Sequence, residues 1–351
     1  MGTLQTNVRL ESAKDAFARI SERGTLVEFG DVPAYDGSGH VQGIVPYGEQ
    51  WIVSQSRRSH FHDSGWLILL DAREGTYRHR ISTPRGLGNH PGGMQVCGDY
   101  LFVAVEGFEP RTDAGGAIVI YDLSKIVGGR LPPAPIATVP VNRPGLPGPT
   151  LHAGCVAVTD VDVEVPRVTP GPPEKRRAHL AAVHHAGTLR FFRSMSTSLD
   201  APRFDHFATV AAPHTAGFDQ MALIVDRDGL CLVTLEHESD VHDWASLWRV
   251  DLRHDGVHRF TRLARRRFVT THGAAGPGVG VHFVYGGGAR VVSATTLHLY
   301  AAQPYLTAGN RFATNVFGAG SAEGPVPGSG GPGDRRTGPP GRGAFPRHRE
   351  S

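Results

Sequence analysis

Histidine is the residue type this chain uses to excess, with 19 in 351 residues, and five of them recur beside glycine. His40 stands near Gly43, His90 near Gly92 and Gly93, His152 near Gly154, His214 near Gly217 and His272 beside Gly273. The intervals between them are 50, 62, 62 and 58 residues, so the arrangement repeats with the chain. Neutral imidazole is a good ligand for first-row metals, and nearby carboxylates commonly fix the ring tautomer. His40, His90, His152 and His272 are therefore candidate ligands of a divalent ion, iron or zinc. Two acids, Glu106 and Glu236, close apolar runs (YLFVAVE and LCLVTLE) and are candidate general bases, since an acid at such a position can have a raised pKa. The architectural reading stands beside the functional one. A residue repeated in a repeat protein can simply hydrogen-bond the neighbouring strand in every unit.

The elements that must position these groups are mostly strands. Residues 12–23 read as one helix, with Ser12 as cap, Leu10, Ala13, Phe17 and Ile20 on one face, and Gly24 as stop. From Thr25 the period changes to short β-rich runs bounded by Gly, Pro, Asp and Asn. Paired apolar runs come five times: Gln50–Gln55 with Gly65–Asp71, Tyr100–Glu106 with Gly116–Asp122, His179–His184 with Thr188–Met195, Leu230–Glu236 with Ser246–Asp251, and Leu297–Gln303 with Arg311–Phe317. A weaker, glycine-studded strand precedes each pair, at Gly43–Tyr47, Gly93–Cys97, Gly154–Thr159, Met221–Asp226 and Val281–Tyr285. Four units also carry a fourth strand, at Tyr77–Ile81, Ile136–Val141, Phe204–Val210 and Phe260–Val269. The fifth has none, and Thr25–Gly30 (TLVEFG) is left over to fill its place.

Five four-stranded units closed by the first strand predict an all-β fold, a five-bladed β-propeller. Closure removes the open edges that a twenty-stranded sheet would leave. A pair of β-sandwiches is the competing architecture. The expected organisation is a helical segment at 1–24, the propeller at 25–317, and a disordered Gly/Pro/Arg-rich tail at 318–351, which has too little apolar content to order itself. Asp160–Arg177 reads as a Pro-rich charged insertion in the third blade.

On these repeats the chain resembles β-propeller proteins in general. The His–Gly pair before each first strand is similar to that of WD-repeat proteins, but the third strands end in Leu70-Asp71, Tyr121-Asp122 and Val250-Asp251 rather than Trp-Asp. The resemblance implies the fold and no activity. In a propeller all five histidine loops lie at one mouth of the central channel, and the second strands end there too. That face would gather Glu106, Glu236, His184 and His185 with the histidine ring. His60, His62 and Asp63, and His237, Glu238, His242 and Asp243, read as polar loops on the same side.

Composition narrows the partners. Thirty-six basic against thirty-three acidic residues give a net charge of +3, without the basic excess of a nucleic-acid binder. No apolar run reaches the length of a membrane span. Cys97, Cys155 and Cys231 all sit in apolar runs, where a thiol packs rather than reacts, and they exclude a disulfide framework. No nucleophile elbow, P-loop or HExxH motif occurs. The expectation is a cytoplasmic propeller that binds a small organic ligand at its funnel, as a lyase, hydrolase or oxygenase. The alternative is a non-catalytic scaffold for a protein partner.

Overall fold

The structure is a computed structural model. It describes residues 8–32, 39–56, 64–88, 90–106, 116–142, 145–148, 151–165, 174–194, 199, 202–213, 220–239, 242–252, 257–270, 280–284, 286–304 and 311–319. His214, His272, His60, His62 and all but the first two residues of the expected tail lie outside them.

The chain is a five-bladed β-propeller. After a helix, α1 (Ala13–Ala18), and a strand, β1 (Thr25–Phe29), the first blade is β2 (Val41–Tyr47), β3 (Gln50–Gln55), β4 (Trp66–Asp71) and β5 (Thr76–Ser82). The second is β6 (His90–Cys97), β7 (Tyr100–Glu106), β8 (Ala117–Asp122) and β9 (Ala137–Pro140). The third is β10 (Cys155–Val165), β11 (Glu174–His185), β12 (Thr188–Ser194) and β13 (Phe204–Ala211). The fourth is β14 (Gln220–Asp226), β15 (Gly229–Ser239), β16 (His242–Asp251) and β17 (Arg259–Val269). The fifth joins β18 (Gly288–Ser293), β19 (Thr296–Ala302) and β20 (Phe312–Phe317) to β1, which pairs antiparallel with β20 from Thr25↔Val316 to Phe29↔Phe312. The innermost strands touch in a closed ring, β2 to β6 to β10 to β14 to β18 and back to β2.

The apolar runs are continuous because each blade is covered on both faces. Along β4, Leu67 and Leu69 pack towards blade two with Leu101, Val103 and Val119, while Ile68 and Leu70 pack towards blade five with Phe29, Tyr300 and Phe312. Alternate side chains point to opposite faces, so a strand buried on both reads as an unbroken hydrophobic run. Five such clusters fill the five interfaces.

The inner strands are glycine-rich because they crowd the axis. A Cβ at Gly92 would collide with the Gly154 carbonyl oxygen, and one at Gly93 with Cys155 and the Gln220 amide. The axis itself is plugged by side-chain amides. Gln95 Oε1 accepts from Val158 N (2.9 Å) and Leu223 N (3.0 Å), and its Nε2 donates to Leu223 O (2.8 Å). The axial edges of the innermost strands carry backbone groups that need partners, and Gln95 supplies them for two other blades. Gln220 reaches across to donate to Gln42 O.

Three local expectations are corrected. The fifth inner strand is Gly288–Ser293, not Val281–Tyr285; His282 makes only an isolated bridge to Ala302. The glycines at 286–288 let the chain pass the axis, where a Cβ at Gly287 would meet Leu235 and Gln220. The helix ends at Ala18, capped by Arg19, because Arg23 leaves it to bridge Val269. Gly24 is a close approach to Asn315 and the Phe317 ring rather than a helix stop. Finally, much of the charged insertion is β-ladder, paired from Thr159↔Leu180 to Val165↔Glu174. Its Asp-Val-Asp-Val-Glu-Val alternation at 160–165 is a strand period.

Candidate functional site

Each inner strand starts at one end of the axis, and the described members of the histidine set meet there. His40 precedes β2 and His90 opens β6. Their Nε2 atoms lie 3.3 Å apart and their ring centroids 5.2 Å, edge to face. Ser56 Oγ accepts from His40 N (3.1 Å) and lies 3.1 Å from both His40 O and His40 Nδ1, so it anchors that ring from behind. His90 Nδ1 lies 3.0 Å from Glu106 Oε2, an ion-pair distance with the carboxylate off the hydrogen-bond axis. On its other side, Gln42 Nε2 donates to His90 Nε2 at 3.0 Å. The two Nε2 atoms thus meet at hydrogen-bond distance at the mouth, where one proton can be shared between the rings.

Glu106 continues the series into blade three. Its Oε1 lies 3.9 Å from His185 Nε2, and the His185 ring packs edge-on against His152 at 4.7 Å. His152 is followed by Ala153, which is fully buried and held in the left-handed region at φ 57°. A non-glycine residue there is strained, and surrounding contacts must hold it. Burial keeps the His185 imidazole below its ordinary pKa, with Glu106 pulling up and His152 pushing down. Burial pushes His184, on the opposite face of β11, down to about 4, and repulsion from His185 adds to this. Both rings are the neutral, acceptor form at neutral pH.

Of the four expected metal ligands, the structure brings His40 and His90 together, places His152 with His185 instead, and leaves His272 outside the described residues. Glu106 sits between His90 and His185. Glu236 is placed differently: it is buried, 3.1 Å from Arg265 Nη2 and 3.4 Å from Ser246 Oγ. Its carboxylate is thus taken up by contacts within blade four rather than presented to the mouth. All three cysteines are buried and no disulfide joins them; burial pushes the Cys231 thiol up to about 12.

Two features carry no mark in the sequence. One is a cavity of about 490 Å³ at the far end of the axis, lined by Tyr47, Asp99, Leu223, Arg290 and Val291, with Gln95 in its wall. The other is a triplet of His237, Asp243 and His282 between blades four and five, read above as a polar loop and part of a strand. Among the described residues it is the one group of three His, Cys, Asp or Glu whose ligand atoms all lie within 4.8 Å of one another. Only the spacing of His237 and Asp243 about a hairpin could have hinted at it.

No family model and no curated protein matches the chain. Among solved structures it is similar to the catalytic domain of a Coprinopsis cinerea GH62 alpha-L-arabinofuranosidase, at 14% identity over 87% of this chain and 98% of that one, with a TM-score of 0.47. It is also similar to the polysaccharide lyase Uly1, at 9% identity over 90% and 96%, with a TM-score of 0.34. A third likeness, to extracellular domains 1-2 of Drosophila Semaphorin 1a, has 8% identity and a TM-score of 0.33 over 55% of this chain and 53% of that one. The chain spans about half the length of that semaphorin. These are likenesses of backbone course, and the five blades rest on the strand pairings above.

Proposed function

We propose that the chain is a ligand-binding propeller that performs acid–base chemistry, as a lyase or hydrolase, on a small organic acid at the His40–His90 mouth. The observation that carries the reading is the 3.3 Å approach of two Nε2 atoms, with Ser56 Oγ beside His40 Nδ1 and the Glu106 carboxylate 3.0 Å from His90 Nδ1. Two imidazole nitrogens at this distance can pass a proton between them along one hydrogen bond. The pair is therefore built to accept a proton from a bound molecule. Glu106 then lies beside the imidazolium that forms and stabilises it, as a carboxylate behind a catalytic histidine does. The donor groups favour an anionic ligand: four imidazoles gather about one carboxylate, and each can offer a ring N–H to an oxyanion. The buried cysteines, without a disulfide, fit the reducing cytoplasm.

The test is a panel of glucuronate, galacturonate, malate and citrate, with glucose as neutral control, assayed by thermal shift and for turnover. One of the acids should stabilise the wild type, and glucose should not. His90→Asn and Glu106→Gln should keep the fold, with turnover reduced about 10²–10⁴-fold for the loss of the base. If no acid binds, or if His40→Asn and His90→Asn bind and turn over like the wild type, the reading fails and the scaffold alternative takes its place.

A further inference from the structure

We propose a metal site, separate from the mouth just described, in which His237 Nδ1, Asp243 Oδ1 and His282 Nδ1 hold a divalent first-row ion of the zinc or iron class. The three residues come from two blades. His237 and Asp243 face each other across the β15–β16 hairpin, where they pair in register, and His282 arrives from the segment leading into blade five.

Four observations converge. First, Asp243 is fully buried, and its ion-pair contacts among the described residues are the two imidazoles, with no lysine or arginine. A buried carboxylate needs a compensating positive charge, which a bound cation would supply. Second, Asp243 is aimed. Phe283 N donates to its Oδ2 at 2.8 Å, which turns Oδ1 towards both rings. Third, Oδ1 lies 2.9 Å from His237 Nδ1 and 3.4 Å from His282 Nδ1. Ligand atoms at about 2.0–2.1 Å from one ion are separated by roughly 2.9 Å at a right angle and roughly 3.4 Å at the tetrahedral angle. Fourth, His282 Nδ1 is a buried nitrogen that makes no hydrogen bond, although the carboxylate is close by. Its other edge is closed, since Gly280 lies against Nε2 so tightly that a Cβ there would collide with it. Nδ1 is therefore the atom that ring can offer a ligand. Two imidazoles and one carboxylate form a donor set that first-row ions accept, and they leave positions open on the partly exposed His237 side.

The site shares no residue with the His40–His90 pair, so the two proposals fail independently. The experiment uses the full chain, stripped with chelator, checked for native circular dichroism and titrated with Co²⁺ and Zn²⁺. One equivalent of Co²⁺ should bring up visible d–d bands that Zn²⁺ displaces. His237→Gln is the variant of choice, because its side chain is partly exposed and its loss should spare the fold. It should weaken Co²⁺ binding at least tenfold, as should Asp243→Asn, while His90→Asn retains the signal. The proposal is overturned if the folded wild type develops no such bands, or if His237→Gln binds Co²⁺ as tightly as the parent.

Discussion

A chain lacking residues 1–30 should fail to give a cooperative unfolding transition. The truncation removes β1, the outer strand of blade five, and exposes β20 as a long unpaired edge. It also strips Leu10, Ala13, Ala16, Phe17 and Ile20 from the cluster between blades four and five, where all five are buried. Phe29, buried between Trp51 (6.0 Å) and Phe312 (6.2 Å), goes with them and opens the seam to blade one. A graded version is Phe29→Ala, expected to cost about 3–5 kcal/mol, as for other buried phenylalanines. Circular dichroism against temperature checks both. A truncated chain that melts cooperatively at the parent temperature would mean that ring closure contributes nothing.

Replacing Gln95 by leucine should destabilise the propeller at least as strongly as Phe29→Ala, although leucine fills nearly the same volume. The amide serves two N–H groups and one carbonyl on the axial edges of blades three and four. Without it all three are buried and unmet, at about 1–3 kcal/mol each, so a loss of roughly 3–9 kcal/mol follows. Urea unfolding checks it: the midpoint should fall with little change in m, because the surface exposed on unfolding is unchanged. A leucine variant of parental stability would mean that water meets these groups as well as the amide does.

The contrast between these two side chains also marks what a sequence reveals. Strands such as Leu67–Leu70 are legible because a blade covered on both faces must be apolar throughout. Closure is legible because TLVEFG has no other place to pair. Gln95 and Gln220 are not, since a single glutamine inside a strand has no period and its partners come from other blades. The fifth inner strand is expected at Val281–Tyr285 instead of Gly288–Ser293 because the glycines at 286–288, which let it pass the axis, carry no apolar signal. At the mouth, the repeat spacing pointed to His40 and His90, and the end of an apolar strand to Glu106. The roles of Gln42 and Ser56 appear only when the rings are in place. Asp243 and His282 are 39 residues apart in different blades, and no local pattern joins them.

The most direct measurement is the tautomer and proton inventory of the mouth, read by ¹⁵N–¹H correlation on histidine-labelled protein, assigned through His40→Asn and His90→Asn. One proton should be shared across the Nε2–Nε2 contact, so that the two Nε2 signals respond together when a ligand is added. Glu106→Gln should change both signals, because the carboxylate lies 3.0 Å from His90 Nδ1. Nε2 signals that respond independently of each other, and that ignore Glu106→Gln, would contradict the proton-sharing pair on which the functional reading stands.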